Sequence, residues 1–180
     1  MSEIMTHSKK MFDPLHPNVE LIDIEDIAHS LSMLCRANGH FRTFYSVCQH
    51  SINCMKEAKA RGYSERVQLA CLLHDASEAY LSDVTRPVKA ELPRYMEIEA
   101  PLQETIWNKW LGEPLTEEER KQVFAIDDAI LAHEFENLMG AKIVEPTPEI
   151  YSVPQFAFTG FETCQAEFMQ LFHCYTTVVK

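Results

Sequence analysis

The chain has 180 residues, 46% hydrophobic and 24% charged, which is a globular balance sized for one domain with one core. Its net charge of −11 repels polyanions and its basic residues are scattered, which excludes a nucleic-acid groove; a small anionic substrate fits only where a metal supplies positive charge. No apolar run reaches the ~18–20 residues of a membrane span, and residues 1–10 are polar with no signal-peptide core, so no membrane partner and a cytoplasmic location are expected. The six cysteines include no Cys-x-x-Cys pair, and most fall in apolar helical pattern, where they read as small core residues.

In chain order, residues 1–20 read as an irregular arm, because Pro14 and Pro17 block helix. Ile24, Ile27, Leu31 and Leu34 form a helical stripe with Asp23 as its cap and Asp26 in its first turn; Asn38-Gly39 ends this helix and opens a loop. A second helix is expected from about Phe44 to Ala60, with Val47, Cys54, Met55 and Ala58 on one side and His50 close by. A third starts near Ser64. Its run Val67–Leu73 is apolar all round, so it should be buried, and it delivers His74-Asp75 at its end.

Glu78, Tyr80 and Asp83 follow, and Pro87 breaks the pattern. The next helix, Pro93 to Leu111, contains Pro101, which predicts a kink or two pieces. Thr116-x-x-Glu119 reads as a capping box for a helix that runs to Met139 and stops at Gly140. Residues 141–158 are proline-containing and irregular. Thr159-x-x-Glu162 reads as a second capping box, opening a C-terminal helix over 159–178. With no repeat or linker, the expectation is one all-α domain over 1–180, a bundle of about six or more helices. Trp107 is either core or an exposed interface aromatic.

Three places offer metal ligands where helices should converge: His50, His74-Asp75 and Asp127-Asp128. Burying an ionised carboxylate is costly unless a cation pairs with it, and a neutral imidazole beside a carboxylate is a good divalent-metal pair. Two imidazoles and two carboxylates suit one ion of Co, Mn, Fe, Ni or Zn more than an all-oxygen calcium site.

The order His50 … His74-Asp75 … Asp127 resembles the H…HD…D signature of the HD-domain metal-dependent phosphohydrolases. Asp26-Ile27-Ala28-His29-Ser30-Leu31-Ser32, Cys35-Arg36-x-x-Gly39-His40, Tyr45-Ser46-Val47-x-Gln49-His50 and His74-Asp75-Ala76-Ser77-Glu78-Ala79-Tyr80 are similar to the small bacterial and phage branch related to 5′-deoxynucleotidases. The resemblance covers roughly residues 12–140. It implies an HD-domain helical fold with one divalent metal, magnesium included among the candidates, held by His50, His74, Asp75 and Asp127, which sets Ala132 and Glu134 where similar sequences carry a comparable pair, with Asp128 as the alternative. Glu78 and Asp83 match reaction-zone carboxylates, Glu78 to position or deprotonate water and Asp83 to protonate the leaving oxygen. Arg36 matches a phosphate-binding arginine on the first helix, with Lys89 and His40 as further phosphate contacts.

The implied activity is a 5′-nucleotidase that hydrolyses (deoxy)nucleoside 5′-monophosphates, the substrate being a small-molecule nucleotide and the assembly a homodimer. Alternatives on the same ligands are a dNTP triphosphohydrolase releasing triphosphate, a di-iron HD oxygenase and a non-catalytic nucleotide sensor. In the deoxynucleotidases an aromatic residue follows the arginine and helps exclude the ribose 2′-hydroxyl. Here Ala37 follows Arg36, so deoxy-selectivity would rest on another residue such as Phe41, Phe44 or Tyr45.

Overall fold

The structure, a computed structural model, describes residues 3–176. Its regular structure is helical apart from one small hairpin, and the expectation of an all-α bundle holds. The long helices are α1 (Ile24–Met33), α2 (Val47–Ala60) and α3 (Glu65–Leu72). Two single-turn helices follow, α4 (Glu78–Leu81) and α5 (Arg86–Lys89). Then come α6 (Pro93–Leu111), α7 (Glu117–Glu134) and α8 (Phe161–Thr176). No helix among the described residues is long and apolar enough to cross a membrane.

Local chemistry sets most boundaries. Asp23, Ser46 and Ser64 each accept from a first-turn backbone N–H of α1, α2 and α3, and Thr116 and Glu119 form the expected capping box at α7. Past α7 a π-turn, Phe135–Met139, ends at Gly140, whose φ of 75° suits a residue without Cβ.

Two expectations are corrected and two open alternatives are decided. Residues 1–20 are not wholly irregular: Ile4–Met5 (β1) pairs antiparallel with Met11–Phe12 (β2). Asp26 anchors the hairpin by accepting from the N–H and hydroxyl of Ser8, and Phe12 is fully buried against Tyr80. Helix α6 is one continuous element through Pro101. That proline lies on an exposed face, where water can reach the carbonyl that its ring leaves without a donor. Trp107 is core, 3% exposed, with its indole N–H on the Ala70 carbonyl. Helix α8 starts at Phe161, because the Thr159 hydroxyl is spent on Gln49 and the Ala157 carbonyl and makes no capping box.

Helix α2 is the axis, touching α1, α3, α7 and α8. Every residue from Val47 to Met55 is buried, polar ones included. The polar ones recur on one stripe, Gln49, Asn53 and Glu57, at i, i+4 and i+8. They fasten the irregular segment 141–158 across the helix. Gln49 donates to the Ala157 carbonyl, Asn53 exchanges bonds with Gln155, and Glu57 accepts from the N–H groups of Tyr151 and Ser152 and from the Ser152 hydroxyl.

Burial pushes the Glu57 carboxyl up, but the bonds from Arg61 and Ser152 outweigh it and hold the group below its ordinary 4.5. Glu57→Ala should therefore cost about 2–4 kcal/mol at pH 7 by urea denaturation, since a charged acceptor of several hydrogen bonds is lost. The folded pKa is the lower one, so this contribution is whole above 4.5 and fades as pH falls through the folded value. The gap between variant and wild type should narrow in acid; a gap independent of pH would show that the charge is not what holds the strap.

Candidate metal centre

The end of α3 is where the centre begins. Val67–Leu73 is fully buried, as its composition predicts. A helix end leaves carbonyls without partners, and buried ones must find donors. Here Trp107 takes Ala70, His74 Nδ1 takes Cys71 at 2.7 Å, and Gln103 takes Leu73 at 2.8 Å. Gln103 also accepts from the Ser77 N–H at 3.0 Å, so α6 clamps the turn that carries His74 and Asp75. With Nδ1 spent as a donor, the Nε2 lone pair of neutral His74 faces inward.

His50 is oriented the same way by another partner. Its Nδ1 donates to Glu134 Oε1 at 2.6 Å, and Glu134, wholly buried at the end of α7, is shared with Arg36 Nε at 3.1 Å. The two Nε2 atoms then face each other at 3.1 Å. Asp127 Oδ1 lies 3.1 Å from His50 Nε2 and 3.7 Å from His74 Nε2, and Asp75 Oδ2 lies 3.7 and 3.3 Å from the same atoms. Two inward ring nitrogens and two carboxylates form a cluster whose chemistry suits a cation between them. The ligand atoms of His50, Cys54, His74 and Asp127 all fall within 4.8 Å of one another, and this group could hold a metal ion.

The electrostatics agree. Burial and Arg36 push the His50 imidazole down, yet Cys54, Glu134 and Asp127 outweigh them and hold it well above its usual range. Burial pushes Asp127 up, but its bonds from His50 and His74 bring it well below the usual carboxylate range. Without an ion, a proton on imidazole takes the cation's place.

Cys54 is the residue that sequence reasoning missed. It was read as core, and it is fully buried, but its Sγ lies 3.4 Å from His50 Nε2. The signal was its spacing: His50 and Cys54 stand i, i+4 on one helix face, the spacing by which two side chains of a helix grip one metal. Glu134 matches a position in similar sequences, but its role is new here: nothing local marks it as a partner for a histidine on another helix. Imidazole and thiol donors favour a transition metal over calcium or magnesium.

The remaining candidates fall around this centre. Asp127 turns inward, whereas Asp128 is 60% exposed and binds Arg86. Arg36 is not on α1. The chain leaves that helix at Met33, Cys35 bridges to Ser46, and Arg36 sits in a short turn whose next residues, Ala37 and Asn38, take φ near 50°. Its guanidinium is buried, with Nη1 on Asp75 at 3.3 Å and Nε on Glu134, because a buried arginine must be paired. Lys89 Nζ binds Glu99 at 2.7 Å and lies 3.7 Å from Glu78. His40 lies in the exposed loop beyond that turn. Glu78 is buried, and its Oε2 has no hydrogen-bond partner among the described residues. Phe41 and Tyr45 pack in a small second core with Leu138, while Phe44 rests on Phe158.

A cavity of about 360 Å³ opens elsewhere, between the hairpin and α1. Its polar lining is already engaged: Asp26 by Ser8, Ser30 by the Ala79 carbonyl and His29 by Gln165. The chemistry gathers at the histidines instead.

No known family profile matches the chain. It is 39% identical over 110 residues to the uncharacterized protein YfdR of Escherichia coli strain K12, covering 61% of this chain and 59% of that one. It is 43% identical over 98 residues to the uncharacterized protein RCAP_rcc00048 of Rhodobacter capsulatus, covering 51% and 50%. The chain thus spans between half and three-fifths of the length of these relatives, and neither name states an activity.

Metal analysis of reconstituted protein should find one divalent ion per chain, lost in His74→Ala. Glu134→Gln keeps a group beside His50 but removes its charge, and it should weaken metal affinity about 10–100-fold in chelator competition. Equal affinity in that variant would remove Glu134 as the group that sets the His50 ring.

Proposed function

We propose that this protein is a metal-dependent phosphohydrolase acting on nucleotides, as a 5′-nucleotidase that converts (deoxy)nucleoside 5′-monophosphates to nucleoside and phosphate. One observation carries the reading. Metal-ligand side chains from three separate segments converge on one point, and the carboxylates among them are partly open to solvent. The resemblance to HD-domain phosphohydrolases supplies the reaction class.

His50, His74, Asp75 and Asp127 would hold the ion, with Cys54 behind them. A divalent ion so held lowers the pKa of water and polarises a phosphoryl oxygen. The carboxylate side is the open one: Cys54 is fully buried, while the Asp75 and Asp127 side chains are 19% and 14% exposed.

Glu78 and Asp83 divide the proton work. Burial, then the charges of Asp75 and Asp83, push Glu78 well above the usual carboxylate range. Burial also raises Asp83, with Asp75 adding to it against Arg36 and Lys89. The split follows the resemblance, which gives the water to Glu78 and the leaving oxygen to Asp83. Lys89, 3.7 Å from Glu78, favours the charged form of that carboxyl. Asp83 then gives its proton to the leaving 5′ oxygen.

The test is product analysis on a panel of nucleoside monophosphates and dNTPs with cobalt, manganese, zinc or magnesium. Orthophosphate from monophosphates is expected. Asp127→Ala should abolish it, Asp128→Ala should retain the metal, and Glu78→Gln should lower kcat about 10²–10⁴-fold. Tripolyphosphate from dNTPs would move the reading to a triphosphohydrolase, and no release with any metal would end it.

A further inference from the structure

We infer that Arg86 reads the substrate's phosphate, an inference that rests on the phosphohydrolase reading and names the anion contact of that same site. Resemblance assigns this work to Arg36, Lys89 and His40, but the structure commits the first two elsewhere. The Arg36 side chain is 10% exposed, and its fork is spent on Glu134 and Asp75. Lys89 lies between Glu99 and Glu78, with its ammonium over the Tyr95 ring. Freeing either would strand a buried or half-buried carboxylate.

Arg86 differs in three ways. Its side chain is 56% exposed. It gives Nη2 to Asp127 Oδ2 and Nη1 to Asp128 Oδ1, which leaves Nε–H and one hydrogen on each terminal nitrogen without a protein acceptor among the described residues. Its two tethers are unequal. Asp127 is largely buried, and its other oxygen, Oδ1, faces the imidazoles, so the guanidinium stands one carboxylate's width from the place where an ion would sit. Asp128 is 60% exposed, and such a surface pair is weak and exchangeable.

Arg86 also opens α5, where Pro87 fixes the backbone of the first turn, so the guanidinium is aimed from a set position. A planar fork matches phosphate oxygens, and in a chain of net charge −11 an approaching dianion needs a local cation that is free to turn to it. Phosphate takes the place of Asp128, while Asp127 keeps its outer bond.

The experiment titrates the metal-loaded protein with inorganic phosphate by calorimetry, with metal content measured alongside. Arg86→Gln should weaken phosphate binding about tenfold or more with metal content unchanged, and Arg86→Lys should recover part of it. Asp128→Asn should bind phosphate as well as wild type or better, because it removes the competing carboxylate. With nucleotide substrate, Arg86→Gln should raise KM more than it lowers kcat.

Phosphate affinity in Arg86→Gln within twofold of wild type would overturn the inference and leave the phosphohydrolase reading standing. Metal loss in Arg86→Gln, or an equal defect in Asp128→Asn, would make Arg86 a holder of Asp127 and overturn it as well. A metal-loaded wild type that binds no phosphate would overturn both.

Discussion

The constraint on which the structure depends is the cost of keeping acidic groups inside a protein that already carries a charge of −11. Asp75, Glu78, Asp83, Asp127 and Glu134 gather in one region, and Glu134 has no exposure at all. Ionised carboxylates out of water cost several kcal/mol each unless cations meet them. Arg36 lies between Glu134 and Asp75, and Arg86 spans Asp127 and Asp128. Lys89 serves Glu78 and Glu99. One place remains, between the two imidazoles, where ligand atoms face one another and, among the described residues, no lysine or arginine lies between them. A cation from solution fits that place by charge as well as by ligand type.

Helix α2 makes the arrangement possible by being buried on every side. Most helices put polar residues toward water; this one uses them inward on two stripes. Gln49, Asn53 and Glu57 bind the backbone of the strap 141–158, which has no helix or strand to satisfy it. His50 and Cys54, one position further round, face the turn after α3. The same helix therefore holds the irregular segment with one stripe and builds the centre with the next. A change in its rotation would unseat both, which couples the strap to the site although they share no direct bond.

The helices were legible in the sequence because apolar spacing and capping residues are local signals. Thr116 with Glu119 and the apolar run Val67–Leu73 did what their chemistry predicts. Legibility failed where a long-range partner overrode a local preference. Thr159 has the right residue three places on for a capping box, but Gln49 claims its hydroxyl. Pro101 does not split α6 in two, because its face is open to water. The hairpin of residues 4–12 is too short to register as alternation, and it is secured by Asp26, which looked like an ordinary first-turn acid. At the site, His50, His74 and Asp127 were named from their types and order. The choice between Asp127 and Asp128 needed the helix's rotation. Glu134 was visible only as part of the resemblance and not as a partner of His50, and Arg86 gave no signal, since each acts through a partner about forty residues or more away.

Exposure across the centre runs from floor to rim, and that gradient sorts the residues by what they can do. Cys54, His50 and Glu134 lie at the floor, where burial makes electrostatic bonds strong and rearrangement expensive. His74, Asp127 and Asp75 stand above them, partly reached by solvent. Arg86 and Asp128 are at the rim, where water screens their bond. Groups that must keep their place through a reaction cycle belong where exchange is costly, and groups that must release one partner for another belong where it is cheap. A histidine locked by a buried glutamate and an arginine resting on an exposed aspartate are the two ends of that scale. A site that retains an ion while admitting and discharging an anion needs both.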